Sequence, residues 1–442
     1  MKKAISVLLV VSILITLFAA CGQNKSDSAV KEETTKATDQ QAKEEPKKEE
    51  PKEEKKPVTI KAAFWAQEAK DALGKLSDDF TKENPDIKVE WEYPPNSDYK
   101  KILSTRILSG EAPDVFGLID SSFYKYATPM DDQPWASRVI TKSNLSMKGK
   151  LMGVPLTFVG LLVYYNKKVF ADAGVTEFPK TYDEFLALCE SLKSKKITPV
   201  AFGMKDAFVH NVVIAQLAQE FAKNIPKDFF EQLYFGKDKM ANHPEFEKAM
   251  EKYLELYKKG YFPEGAIGLD YNSAFTMLAN GKAAMCIHGS WLPGFVAGIN
   301  KDAELGAFAF PDGNGTSSIV ACNDWNLAVG KDAKNREEIL KFLNFLAKKE
   351  SQEYIAEQWQ QLSPFKDAQP KLSPVAQETM KVINENPTAD FAFYLEVPDP
   401  NYELCKLSQE MFLGKKTPKE AVEAFDKICE QYKDSKKAVY EE

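Results

Sequence analysis

The chain has 442 residues, of which 44% are hydrophobic and 12% aromatic. A single hydrophobic core stops growing at about 250 to 300 residues, so this length predicts two packed lobes and excludes a small disulfide scaffold or a wholly disordered chain. The net charge of -7, from 58 Lys+Arg and 65 Asp+Glu, gives no basic surface that would attract nucleic acid. The three histidines, His210, His243 and His288, stand at no metal-ligand spacing, so we expect no metal site and no cofactor.

Residues 1–20 have the charge order of a secretory signal peptide. Lys2 and Lys3 precede an uncharged apolar run that is too short for a membrane-spanning helix. The run ends in Leu17-Phe18-Ala19-Ala20-Cys21-Gly22, which resembles the lipobox of bacterial lipoproteins, although Phe18 stands where the lipobox usually has Leu. The resemblance implies that Cys21 becomes the first residue and carries a lipid anchor on the extracellular face of a Gram-positive-type cell membrane. An ordinary signal peptide with an incidental cysteine is the alternative.

Residues 21–57 are predicted to be a disordered, charged tether. From Gly22 onward this segment consists of Lys, Glu, Asp, Ser, Thr, Gln, Pro and similar residues, with no aromatic side chain, so it cannot bury enough apolar surface to offset chain entropy. Beyond it five cysteines follow, an odd number without a CxxC motif. At most two disulfides could form, and we expect mostly buried free thiols.

The folded part begins with alternating strands and helices. Residue spacing predicts strands over 58–65, 87–91 and 113–120, and helices over 71–83 and 99–109. Such alternation implies a mainly parallel sheet, whose ligands bind beyond the carboxyl ends of the strands. The segments that follow Trp65 and surround Asp120 should therefore face one cleft.

Further along, apolar runs predict two strands over 151–155 and 160–166 and a helix over 168–173 that stops at Gly174. Thr181 and Glu184 stand at capping-box spacing and open a largely helical region. A helix and then a strand are predicted over 274–287, with more strands over 307–310 and 325–329. A long helix over 336–356 and a capped helix from Thr417 complete the prediction.

Seven short blocks in this order resemble the family of extracellular solute-binding proteins that serve ATP-driven sugar importers. The resemblance covers nearly everything after Val58, and although each block is weak alone, their order makes the assignment specific at family level. The blocks are Phe80-Thr81-Lys82-Glu83-Asn84-Pro85-Asp86-Ile87-Lys88-Val89, Ser109-Gly110-Glu111-Ala112-Pro113-Asp114-Val115, Gly153-Val154-Pro155, Tyr164-Tyr165-Asn166-Lys167, Pro179-Lys180-Thr181-Tyr182-Asp183-Glu184-Phe185, Gly281-Lys282-Ala283-Ala284-Met285 and Gly289-Ser290-Trp291.

The resemblance implies an α/β, two-lobed, periplasmic-binding-protein-like fold with hinge crossovers between the lobes. Lobe 1 would comprise residues 58–160 with 311–363, and lobe 2 residues 161–310 with 364–442. A protein of this kind captures a mono- or oligosaccharide between its lobes and delivers it to the permease subunits of an ABC importer. It would do no chemistry itself, would act as a monomer and would be held at the membrane by its lipid anchor.

A sugar site needs aromatic planes for C–H faces and polar side chains for hydroxyl groups. Trp291 is the principal candidate, because it follows the Gly281–Met285 block at the position where relatives carry a stacking Trp. Trp65 is a candidate for the same reason, since it stands at the end of the first predicted strand. Polar or aromatic partners predicted from position and resemblance are Gln67, Glu68, Asp120, Ser121, Asn323, Asp324, Trp325 and Tyr394.

Other ligands and functions stay open at this level. Glu68, Asp120 and Asp324 could serve as counter-charges for a polyamine or another small solute, and the protein could present its ligand to a membrane sensor kinase. Adjacent Tyr164 and Tyr165 would point to opposite faces of a strand, which favours a structural role over paired ferric-ion ligation. No carboxylate pair, GxSxG elbow or P-loop marks a catalytic site.

Overall fold

A computed structural model describes residues 57–141, 145–226, 228–312, 315, 317–390 and 400–434. In these residues the strands are β1 (Val58–Ala63), β2 (Ile87–Glu92), β3 (Val115–Gly117), β4 (Ser146–Met147), β5 (Lys150–Leu151), β6 (Val154–Asn166), β7 (Thr198–Val200), β8 (Ala283–Gly289), β9 (Leu305–Phe308), β10 (Ile319–Val329) and β11 (Thr388–Asp390). The helices are α1 (Lys70–Glu83), α2 (Asn96–Leu108), α3 (Lys167–Ala173), α4 (Tyr182–Ser194), α5 (Ala207–Leu217), α6 (Gln219–Asn224), α7 (Phe229–Tyr234), α8 (Pro244–Lys258), α9 (Tyr271–Ala279), α10 (Leu292–Ile299), α11 (Arg336–Leu346), α12 (Lys349–Trp359), α13 (Pro374–Glu385), α14 (Pro400–Phe412) and α15 (Pro418–Gln431).

The main sheet runs in the order β2-β1-β3-β10-β6-β8-β7, with β11 beside β10 and β9 beside β6. The β2-β1-β3 group and the β7-β8 pair are parallel, as the alternation of strands and helices predicts. The centre is not, because β10 is antiparallel to both β3 and β6, and β6 is antiparallel to β8. The expected mainly parallel sheet is therefore wrong at its centre, and the sheet is mixed.

β6 is one strand of 13 residues, all buried, where the sequence predicts two strands separated near Gly160. Glycine stands inside this strand because an added Cβ would lie 2.6 Å from the side chain of Ile383 and 3.1 Å from that of Ile319, so only glycine permits the close packing. β10 likewise begins at Ile319, six residues before its predicted start at Trp325.

Hydrophobic residues form separate core clusters on the two sides of the β6–β10 pair. One packs β1, β3 and the end of β10 against α1 and α11, for example Ile60, Phe116 and Phe342. The largest packs β7 and β8 against α4, α5, α8, α14 and α15, for example Phe185 and Met285. Tyr164 and Tyr165 belong to different clusters, which confirms that they point to opposite faces of the strand.

Helix ends follow the predicted signals. Gly174 ends α3 with a left-handed φ of 71°, and the Thr181 hydroxyl caps α4 by accepting from the Glu184 amide. Thr417 and Glu420 form a reciprocal capping box at the start of α15. The predicted long helix over 336–356 is wrong, because the chain becomes extended at Lys348, with ψ 149°, and divides it into α11 and α12.

The five cysteines after the tether, Cys189, Cys286, Cys322, Cys405 and Cys429, are all buried thiols, as predicted. Among the described residues, no helix combines the length and the apolar character needed to cross a bilayer. Over the same part of the chain, no group of three or more His, Cys, Asp or Glu side chains could hold a metal ion.

Candidate functional site

The ends of three strands approach the first half of β6 from opposite directions. β1 and β3 run parallel to each other, and Gly117 at the end of β3 pairs with Leu327, whose partner on β6 is Val154. β8 runs antiparallel to β6 along Leu161–Tyr165, and its last residue, Gly289, pairs with Leu161. Seven residues of strand span about 23 Å. The segments that follow these strands therefore begin within about 23 Å of one another along β6, between the levels of Val154 and Leu161.

Trp65 lies on the β1–β3 side of this gap and is half-buried. Its ring centroid is 4.5 Å from that of Phe64 and 5.3 Å from that of Tyr99. The indole covers Gly117, where an added Cβ would lie 2.4 Å from the ring. Glycine at the end of β3 thus allows the Trp65 ring to approach the strand closely.

The polar candidates beside Trp65 differ in how far protein contacts occupy them. The Asp120 carboxylate accepts from the Ser122 amide at 2.8 Å and pairs with the Lys100 ammonium at 2.6 Å. Ser121 is buried. Gln67 is exposed and donates to the carbonyl of Tyr93. Glu68 lies exposed in the 3-10 turn Gln67–Ala69.

Trp291 lies on the β8 side, two residues after the strand and directly before α10. The Ser290 amide donates to the carbonyl of Gly160 at 2.9 Å, which fixes this turn to the middle of β6. The indole is half-buried, covers Gly289 and makes an edge contact with His288 at a centroid distance of 5.1 Å. Burial lowers the pKa of His288 to about 3, so the histidine beside Trp291 is neutral at physiological pH.

The Asn323-Asp324-Trp325 segment lies inside β10 rather than at its entrance. Alternation along a strand sends Asn323 and Asp324 to opposite faces, and the Asn323 amide donates to the carbonyl of Thr141 at 2.6 Å. Asp324 is opposite Thr157 of β6. Burial raises the pKa of the Asp324 carboxyl to about 6, against a smaller lowering by a hydrogen bond to the Trp325 backbone.

Trp325 has a left-handed φ of 50°, which a bulky residue adopts only where its surroundings impose it, and such strain gathers at functional sites. Its ring contacts Phe64 at 5.7 Å and Trp359 at 4.6 Å, both edge-on. Phe64 therefore joins Trp65 and Trp325 into one aromatic group, while Trp291 belongs to a second group with His288.

Two neighbours of these residues were not predicted. Trp359, the last residue of α12, packs on Trp325, and its carbonyl lies 3.9 Å from the position of a Cβ added to Gly294 in α10. Thr157 is fully buried in β6 beside Asp324. No sequence signal distinguishes either from a core residue. Tyr394 and Cys21 lie outside the described residues.

Residues 56–353 match the family of bacterial extracellular solute-binding proteins, a match that spans well over half of the chain. This chain belongs to that family. The solute-binding protein is 28% identical over 373 residues to the multiple sugar-binding protein of Streptococcus mutans serotype c, a similarity that covers 78% of each chain.

Solved structures show that this solute-binding protein has the two-lobed α/β fold with a central mixed sheet. A chitin oligosaccharide binding protein superposes with a TM-score of 0.73 at 22% identity, covering 86% of this chain and 99% of the other. The binding protein RafE in complex with raffinose superposes with a TM-score of 0.68 at 22% identity, covering 85% and 100%. The family is one of extracellular receptors that bind a solute.

Proposed function

We propose that this protein captures a carbohydrate, a mono- or oligosaccharide, between its lobes and delivers it to the permease of an ABC importer. The observation that carries the proposal is the arrangement along the first half of β6, where half-buried Trp65 and Trp291 flank the gap between the ends of β1, β3 and β8. The names of the relatives support the ligand class, since one is a multiple sugar-binding protein and another was solved with raffinose.

The chemistry of a sugar suits these side chains. Indole planes cover the C–H faces of a pyranose, while carboxylates, amides and hydroxyls exchange hydrogen bonds with its hydroxyl groups. Asp120 is already paired with Lys100, which leaves it less able to act as the counter-charge of a polyamine. The site would bind and release its ligand without chemical change.

Delivery requires that the permease distinguish the liganded protein from the empty one. A ligand shifts the balance between open and closed forms only as far as it binds one form better than the other. The long strands β6 and β10 contribute residues to three separate core clusters, and we propose that the cleft lies between the lobes that these clusters belong to and that closure bends the chain there. For the lobes we retain residues 58–160 with 311–363 and residues 161–310 with 364–442.

We also propose that residues 1–20 are removed, that Cys21 is acylated, and that residues 21–57 tether a monomeric receptor to the outer face of the membrane. The charge order and the lipobox-like sequence support this. Replacement Cys21→Ala should release the protein from the membrane fraction into the medium, and metabolic labelling with a fatty acid should disappear. Unchanged membrane retention and labelling would contradict the anchor.

The ligand is tested by thermal unfolding of residues 58–442 with glucose, raffinose, a chitin oligosaccharide, spermidine and glycerol 3-phosphate. A ligand at a hundred times its dissociation constant adds about 2.7 kcal/mol to the folded state, which a melting curve resolves. Trp291→Ala should abolish the shift, whereas Phe178→Ala, which removes an exposed ring stacked on Phe308, should leave it unchanged. A shift with spermidine alone would overturn the carbohydrate assignment.

A further inference from the structure

Three polar side chains share one face of the β6–β10 pair, and we call Thr157, Asp324 and Asn326 the strand floor. Asp324 pairs with Thr157, and Asn326 pairs with Pro155. Residues opposite each other in an antiparallel pair project to the same side, as do residues two apart along a strand. The strand floor therefore lies between the ends of β1 and β3 and the end of β8.

Two atoms of the strand floor are buried without satisfying their hydrogen-bonding capacity. Thr157 is 0% exposed and Asn326 is 5% exposed, and neither the Thr157 hydroxyl nor the Asn326 side-chain carbonyl finds a partner among the described residues. Buried polar groups in folded proteins are nearly always paired, and each exception calls for a water, an ion or a ligand. Here both exceptions stand beside the partly exposed carboxyl group of Asp324.

The strand floor continues into the surface that holds Trp291. Val159 and Cys322 follow on the same face, and like Leu161 they belong to the small apolar cluster against which Trp291 packs. Thr157 is two residues from Val159, about 7 Å along the strand. An apolar plane and a set of polar atoms thus occur side by side, which is the combination that a sugar ring needs.

The atoms of the strand floor select the kind of group that can bind there. The side-chain carbonyl of Asn326 and the ionised Asp324 carboxylate accept hydrogen bonds, and the Thr157 hydroxyl can accept or donate. A phosphate or carboxylate ligand would bring further acceptors and meet repulsion. Hydroxyl groups can donate to the Asn326 and Asp324 oxygens and can also accept from the Thr157 hydroxyl.

We propose that the strand floor binds hydroxyl groups of the sugar ring that sits deepest in the cleft, with Thr157 and Asn326 as contacts beside Asp324. The proposal rests on the carbohydrate function proposed above. In the ligand-free protein the hydroxyl of Thr157 makes no hydrogen bond with the described residues and opposes folding by its desolvation, whereas in the complex it is hydrogen-bonded.

Thr157→Val tests this because valine keeps the shape of the side chain and removes the hydroxyl. The melting temperature of the ligand-free protein should stay the same or rise, since an unpaired buried group is lost. The dissociation constant for raffinose or the chitin oligosaccharide, measured by calorimetry, should rise about three- to tenfold. Thr157→Ser, which keeps the hydroxyl, should bind like the wild type.

Ser408→Ala is the matched control. Ser408 lies on α14, is fully buried, and its hydroxyl also finds no partner among the described residues. Its removal should leave the melting temperature the same or higher and the dissociation constant unchanged.

Two results would overturn the strand floor. A melting temperature of ligand-free Thr157→Val that falls by more than about 2 °C would mean that the hydroxyl is bonded within the protein, and this measurement needs no ligand. Wild-type affinity of Thr157→Val for the bound carbohydrate would mean that the ligand does not use it. If no carbohydrate in the panel binds the wild-type protein, the proposed function fails and the sugar contact of the strand floor fails with it, while the ligand-free measurement still shows whether the Thr157 hydroxyl is bonded within the protein.

Discussion

Replacing Asp324 by Asn removes a carboxyl group whose ionisation opposes folding. The pKa of this group is 3.8 in the unfolded chain and about 6 in the folded protein, because burial disfavours the charged form. Between these values the folded state binds more protons than the unfolded state, so the free energy of unfolding falls as pH rises from about 4 to about 6. At about 1.4 kcal/mol per pKa unit the loss is about 3 kcal/mol, and solvent contact on the exposed part of the side chain reduces it.

Urea unfolding of wild type and Asp324→Asn at a series of pH values measures this directly. The difference between the two proteins isolates the single carboxyl from the other acids of the chain. The variant should gain about 1 to 3 kcal/mol relative to the wild type between pH 4 and pH 7. Parallel stability curves across this range would refute the reasoning, because they would place the Asp324 carboxyl in solvent with an ordinary pKa.

Three other outcomes follow from packing, burial and capping. Gly289→Ala should weaken sugar binding at least tenfold in calorimetry, since its Cβ would lie 2.0 Å from the Trp291 ring, whereas Gly298→Ala, with nothing within 4 Å, should not. His288→Phe should lower the acid-unfolding midpoint, because the wild-type protein loses stability as pH falls from 6.5 toward the folded pKa of about 3; an unchanged midpoint would contradict this. Thr417→Ala should cost about 1 kcal/mol in urea unfolding through loss of the helix cap, and an unaltered midpoint would exclude that role.

Local signals predicted the elements at the ends of the chain's folded part well. The apolar spacing of α1 and the reciprocal cap of α15 are properties of neighbouring residues, so a sequence displays them. The division at Lys348 is different, because Ala347, Lys348 and Lys349 all suit a helix interior. There the Gln352 side chain donates to the carbonyl of Leu346 at 2.9 Å. This hydrogen bond satisfies a carbonyl at the end of α11, and the spacing of apolar residues does not predict it.

The positions of the candidate site residues were predicted in part for the same reason. Trp65 and Trp291 follow strands, a position that the sequence shows, and both flank the gap between the ends of β1, β3 and β8. Thr157 stands within a wholly buried strand and resembles any β-branched core residue. Trp325 adopts a left-handed backbone although it is neither glycine nor asparagine. Its ring neighbours Phe64 and Trp359 are 261 and 34 positions away in the chain, so the local sequence does not indicate this conformation.

The alkylation rate of the buried Cys322 thiol reports how often the central strands of this protein open. Cys322 lies on the same strand face as Asp324 and is 5% exposed, so a thiol reagent reaches it only when β6 and β10 separate or the residues above them move away. Cys189 and Cys429 lie in the largest core cluster, so their alkylation rates report the opening of a different region. A ligand that seals the cleft should slow alkylation at Cys322 more than at these two, without any engineered label.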